Sequence, residues 1–165
     1  MSSVLPDVLG PGLAVVFIGT AASKRSAERG VPYGGPGNGF WDILRAAGFI
    51  PEDFAPENFR TLAEHGIGLT GMAPRAVGND DVLSTADFDA AGVRARLETH
   101  QPRVAAFVGK RAAQEFLGHQ KLDYGPQPDA VGETALWVLP STSGAARRYW
   151  DPVPWHALAT ALGFT

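Results

Sequence analysis

The chain has 165 residues, 45% of them apolar and 19% charged, with no cysteine and a formal net charge of -3. This is the length of one ordinary globular domain with enough chain to bury a core unaided. The missing cysteines exclude disulfides, thiolate metal sites and a cysteine nucleophile. No apolar run approaches the roughly 20 residues of a membrane helix, and the N-terminus lacks the basic-then-apolar layout of a secretory signal, so a cytoplasmic location is the expectation.

Residues 1–10 read as a loosely ordered lead-in. Residues 13–18 form the first apolar run, bounded by glycines and rich in β-branched side chains, and read as a strand buried on both faces. A Gly- and Pro-rich loop around Tyr33 follows, then an amphipathic helix over 40–47 that stops at Gly48. A helix is expected over 56–65, a weaker strand over 66–70, and a helix over 85–98 with Phe88, Ala91, Ala95 and Leu97 on one side. Residues 104–108 and 135–139 are two more strands, with a helix over 110–117 after the first and a last helix over 155–162. Strands alternating with helices imply an α/β chain, a three-layer α/β/α sandwich around a mainly parallel sheet of four strands. No repeat, low-complexity tract or linker interrupts residues 1–165, which read as a single domain.

Open parallel sheets bind ligands beyond the carboxyl ends of their strands. The four loops there carry Lys24, Arg25, Arg75, Lys110, Arg111, Arg147 and Arg148, half of the chain's 14 basic residues. A basic rim of this kind suits phosphate backbones, despite the acidic overall balance. The first loop, Gly19-Thr20-Ala21-Ala22-Ser23, is not a dinucleotide fingerprint, because Gly-x-Gly-x-x-Gly is missing. Five glycines and two prolines surround Tyr33 between Gly30 and Gly39, a setting in which its ring either offers a face to a flat ligand or folds onto its own loop. Histidines 65, 100, 119 and 156 are scattered, and no metal site or cofactor is expected.

The order and spacing of these pieces resemble the mismatch-specific uracil-DNA glycosylases, the group that includes thymine-DNA glycosylase. The resemblance runs from about Pro11 to the last helix. It rests on Pro11-Gly12-Leu13-Ala14-Val15-Val16-Phe17-Ile18-Gly19, Gly30-Val31-Pro32-Tyr33, Asn38-Gly39-Phe40-Trp41 and Gly66-Ile67-Gly68-Leu69-Thr70. It continues with Gln101-Pro102-Arg103, Phe107-Val108-Gly109-Lys110, Trp137-Val138-Leu139-Pro140-Ser141 and Ser143-Gly144. The resemblance implies a monomeric, metal-free DNA glycosylase of base-excision repair that flips uracil or a related pyrimidine out of double-stranded DNA and hydrolyses its bond to the sugar. It places Tyr33 against the flipped base, the Thr20 backbone at the base edge, and Ser26 near the pocket. It sets Gly144, Ala145 and Arg147 on the segment that wedges into the duplex. Lys24, Arg25, Lys110, Ser143 and Arg148 join them as expected DNA contacts.

The sequence departs from that pattern at two places. Ala21 stands where the family has the asparagine that holds the attacking water, and Ser141-Thr142 replaces Asn-Pro in the last motif, so Ala21 and Ser141 both reshape the pocket. Ala145 replaces the wedge leucine. A carboxylate can position water and stabilise a cationic sugar. The candidates lie in Asn79-Asp80-Asp81 and at Asp87, with Asp81 and Asp87 put forward. Asp87 also falls three residues after Ser84, the spacing of a capping box. If no carboxylate fills the role, the chain is a lesion-binding module without catalysis. Tyr149 and Trp150 sit beside the wedge segment, where they can touch DNA or pack against the last helix, and packing is the stronger expectation.

Overall fold

The computed structural model describes residues 3–164. Strand β1 (Val15–Gly19) lies inside the sheet, flanked in parallel by β2 (Ile67–Gly71) and β3 (Val104–Val108). Beyond β3 come β5 (Thr134–Leu139), also parallel, and then β4 (Gly125–Val131), antiparallel at the edge, giving the order β2-β1-β3-β5-β4. The α/β architecture is as read from the sequence, but the sheet has five strands rather than four. The additional strand carries Pro126 and Pro128 and alternates buried with exposed positions. Proline cannot donate to a ladder, so such a segment reads as a loop and is tolerated only at an edge or a bulge. The β4–β5 register does shift between Pro126 and Ala130.

Alternation along β1 builds the two cores. Val15 and Phe17 face a cluster with Phe40, Leu44, Phe49, Phe59, Leu62, Trp155 and Leu158; Val16 and Ile18 face another with Val93, Leu97, Ala112, Ala113 and Phe116. The first layer is therefore α2 (Phe40–Ala46), the 3₁₀ segment Pro56–His65 and α5 (Val153–Leu162). The second is α3 (Ala90–His100) and α4 (Lys110–Leu117). Phe17 meets the rings of Phe40 and Phe49 edge-on at 5.6 and 5.4 Å and stacks on Trp155 at 5.5 Å, which locks the first layer to β1. Each such fully buried side chain contributes roughly 1.5–3 kcal/mol.

Helix α1 (Lys24–Arg29), capped by Ser23 and closed by Gly30, leaves no mark in the sequence pattern, because six residues are too few to show a period. Helix α3 begins at Ala90, not Thr85. The Asp89 carboxylate accepts from Gly92 N at 3.0 Å and caps it, and residues 85–87 form a separate 3₁₀ turn.

In the segment over 1–10, expected to be loose, residues 1 and 2 lie outside the described residues, and the rest has contacts with β2 and α3. Val8 exchanges backbone bonds with Leu69 at 2.9 and 2.8 Å and is buried. A Cβ on Gly68 would sit 2.6 Å from Val8 O, so a glycine there lets the lead-in lie against β2. Asp7 ties the segment further: it accepts from Thr70 Oγ1 at 3.0 Å and pairs with Arg96 at 3.4 Å.

Candidate active site

The carboxyl ends of the parallel strands open into a cavity of about 710 Å³. Its first wall is the loop after β1. Gly19 O, Thr20 O and Ala22 O accept from Met72 N, Ala73 N and Gly78 N, each at 2.9 Å, so the loops after β1 and β2 are zipped together by main chain. Thr20, Ala21 and Ser26 all line the cavity. Ser26 is 1% exposed, and its hydroxyl accepts from Gly34 N at 2.8 Å. Its role in this structure is to hold the tyrosine loop.

Tyr33 is clamped on both sides. Pro32 O accepts from Trp41 Nε1 at 2.9 Å, and Gly34 O accepts from Arg29 Nη1 at 2.7 Å. Between these ties Tyr33 adopts φ +54, a left-handed conformation that costs an L-residue energy and persists only when its surroundings enforce it. One face of its ring stacks on Phe40 at 3.8 Å, with 15° between the planes, and the residue lines the cavity. The hydroxyl lies over the first loop, 2.7 Å from where a Cβ on Gly19 would stand. Burial pushes the Tyr33 phenol well above its usual range, so the ring is neutral at physiological pH.

The carboxylates arrive on the loop after β2. Asp80 and Asp81 both line the cavity, and Asp80 Oδ1 accepts from Thr20 Oγ1 at 2.7 Å. Asp87 lies outside the lining. Its Oδ2 accepts from Ser84 N at 2.8 Å and from Ser84 Oγ at 3.4 Å, which completes a capping box. Arg111, grouped with the phosphate-binding rim on sequence grounds, is a brace. It donates to Asp80 O at 3.2 Å and Leu83 O at 3.3 Å, pairs with Glu115 at 3.2 Å, and lies over Phe88 at 4.8 Å.

The loop after β5 forms the opposite wall. Ser141, Thr142, Ser143 and Ala145 line it, and Thr142 O accepts from Gly39 N at 2.9 Å, joining this wall to the tyrosine loop. Ser143 Oγ accepts from Ala145 N at 3.2 Å and starts the 3₁₀ segment Gly144–Tyr149. Among the described residues, Lys110 is the one basic side chain in the lining; Lys24, Arg25, Arg147 and Arg148 are exposed outside it, as is Gly144. Asp7 and Tyr124, which had no site role in the sequence, also line the cavity, as does Tyr149. Only Tyr149 has a neighbouring motif to suggest it; Asp7 and Tyr124 come from segments with no local signal.

Asp7, Asp80, Asp81 and Lys110 thus line the cavity, Asp80 and Asp81 as exposed residues, and Lys24, Arg25, Arg147 and Arg148 are exposed beyond the lining. Asp7 is occupied by Thr70 and Arg96. A mainly parallel α/β sheet with a cavity at the carboxyl ends of its strands is the arrangement in which α/β domains bind their ligands. The model of the Uracil DNA glycosylase superfamily matches residues 6–160, and the chain belongs to this superfamily of DNA-acting enzymes that hydrolyse N-glycosyl bonds. Among solved structures, it is similar to the solution structure of a candidate uracil DNA glycosylase from Methanosarcina acetivorans. The two share 25% identity over 96% of each chain, with a TM-score of 0.65.

Proposed function

We propose that this chain is a monofunctional glycosylase of the mismatch-specific type that removes uracil, or a related mismatched or damaged pyrimidine, from double-stranded DNA. The observation that carries the reading is the charge around the cavity: the Asp80 and Asp81 carboxylates in its lining with Lys110, and the exposed cations Lys24, Arg25, Arg147 and Arg148 beyond it. Loss of a base from its sugar leaves positive charge on the sugar and negative charge on the base, while the phosphates stay negative. A carboxylate at the sugar and cations at the backbone match that distribution, and preorganised groups at developing charge are often the largest catalytic contribution.

In this reading the base leaves the stack and enters the cavity. Tyr33, backed by Phe40 and held neutral, offers it a flat apolar surface. The first-loop amides at Thr20 and Ala21, whose neighbouring carbonyls are engaged with the β2 loop, donate to the departing base. Ala21 has no polar group to hold water. Asp80 takes that part: Thr20 fixes one of its oxygens, and the carboxylate orients water and stabilises the cationic sugar. Asp81 lies beside it in the lining as the second carboxylate.

The test is a cleavage assay on labelled duplexes carrying one uracil opposite guanine or adenine, followed by alkali. Release of base and an alkali-labile site with wild type, abolished in Asp80→Asn, is the expected result. Selective, tight binding of the same duplex without any cleavage would make the chain a lesion-binding module instead.

A further inference from the structure

The loop after β5 carries an aromatic side chain that the fold does not bury. Tyr149 ends the 3₁₀ segment, lines the cavity and is still 65% exposed. It does not pack on the last helix as its place in the sequence suggests; only its neighbour does so. Trp150 approaches the fully buried Trp155 at 6.4 Å, and Trp155 Nε1 donates to Pro140 O at 3.1 Å. The turn is closed by Trp150 N donating to Arg147 O at 3.1 Å. Tyr149 is therefore held at the cavity mouth by a turn fixed at both ends.

Its surroundings are cationic and aromatic. The Arg148 guanidinium lies 5.4 Å from the Tyr149 ring centre. Tyr124 lines the same cavity with Lys110 Nζ 4.6 Å above its ring. Burial first, then the nearby Asp151 and Tyr149, hold the Tyr124 phenol above its usual range, so this aromatic stays neutral as well. Flat aromatic faces interleaved with Arg and Lys stack nucleobases with little regard to sequence and hold the phosphates between them. Extruding one base into a cavity strips its strand neighbour of a stacking partner. Tyr149 lines the cavity and keeps 65% of its surface exposed, so its ring is open to a base beside an extruded one.

We propose that Tyr149, supported by Arg148 and Tyr124, is a stacking platform for the nucleobase next to the extruded one on the same strand. This rests on the reading that an extruded base occupies the cavity, and it widens recognition from one nucleotide to two.

The experiment measures binding by fluorescence anisotropy to duplexes carrying 2′-fluoro-deoxyuridine opposite guanine; the fluorine destabilises the cationic sugar and blocks cleavage. Three further duplexes replace the 5′ neighbour, the 3′ neighbour or the opposite guanine with an abasic spacer. Wild type should bind about 5- to 100-fold more weakly when one of the two neighbours is removed. Tyr149→Ala should be weakened by a similar factor on the intact duplex and be indifferent to that spacer, while Tyr149→Phe should behave as wild type. Wild-type affinity in Tyr149→Ala overturns the proposal. So does an equal weakening on all four duplexes, or a sensitivity that follows the opposite base. Cleavage of the ordinary uracil duplex tests excision separately: a protein that shows the neighbour effect but cuts nothing overturns the excision reading and leaves the platform standing. No measurable binding to any duplex overturns both.

Discussion

Three aspartates close together in sequence have three different surroundings, and substitution should separate them. Asp80 is bonded to Thr20 inside the cavity, Asp81 lines it, and Asp87 caps a turn outside it. Asp80→Asn should lower the single-turnover cleavage rate by about 10²- to 10⁴-fold, the usual effect of removing an acid–base group, with duplex binding unchanged. Asp87→Ala should leave the rate alone and lower stability by about 1 kcal/mol, as removal of a cap does. Normal cleavage by Asp80→Asn together with an inactive Asp81→Ala would move the role one residue on. Gly19 is equally specific: its missing Cβ leaves room for the Tyr33 hydroxyl, which would stand 2.7 Å away from it. Gly19→Ala should displace Tyr33 from Phe40, seen as weaker binding of uracil-containing duplex with the fold intact by circular dichroism.

Short elements set where those residues stand. The loop that carries Asp80 makes one 3₁₀ turn, Asp80–Val82, and is braced from α4 by Arg111 on the Asp80 and Leu83 carbonyls. Arg111→Ala should reduce kcat with little change in KM, because the carboxylate is no longer held while the outer cations remain. Arg111→Lys, unable to reach both carbonyls in a fork, should restore only part of the rate. An increase in KM at constant kcat would return Arg111 to the phosphate-binding set. The lead-in is a second such element. Asp7 joins Thr70 on β2 to Arg96 on α3, so Asp7→Ala leaves two groups without their acceptor and should lower the melting temperature measurably.

At the scale of the whole molecule, the net charge of -3 conceals an outward basic face, and binding to duplex should fall steeply with salt. Replacing Lys24 or Arg25 by Ala should reduce the salt slope by about 1 for each phosphate that the variant no longer neutralises. A slope that does not change would remove α1 from the DNA interface. Stability should also respond to alkali. The Tyr33 phenol is raised in the folded state, so above about pH 10, where an unfolded tyrosine ionises, the unfolded chain holds fewer protons and folding weakens. Thermal melts between about pH 9 and 11 should show this fall, and Tyr33→Phe should reduce it.

Periodicity and composition determined the three layers, the central parallel strands and the helices over 40–46 and 110–117, because both depend on local alternation and glycine stops that the chain carries in itself. The small-residue first loop and the Tyr33 loop were legible for the same reason, whereas the absent asparagine at Ala21 was legible only from the family resemblance. Tertiary structure alone decided the rest. Edge strand β4 hides behind its prolines, and α1 is shorter than any period. Tyr33 became a clamped, Phe40-backed ring only because Ser26, Arg29 and Trp41 reach its loop from elsewhere. Asp80 rather than Asp87 faces the cavity because Arg111 and Thr20, 31 and 60 residues away, fix its turn, and contacts at such separations leave no pattern in a neighbouring stretch of sequence.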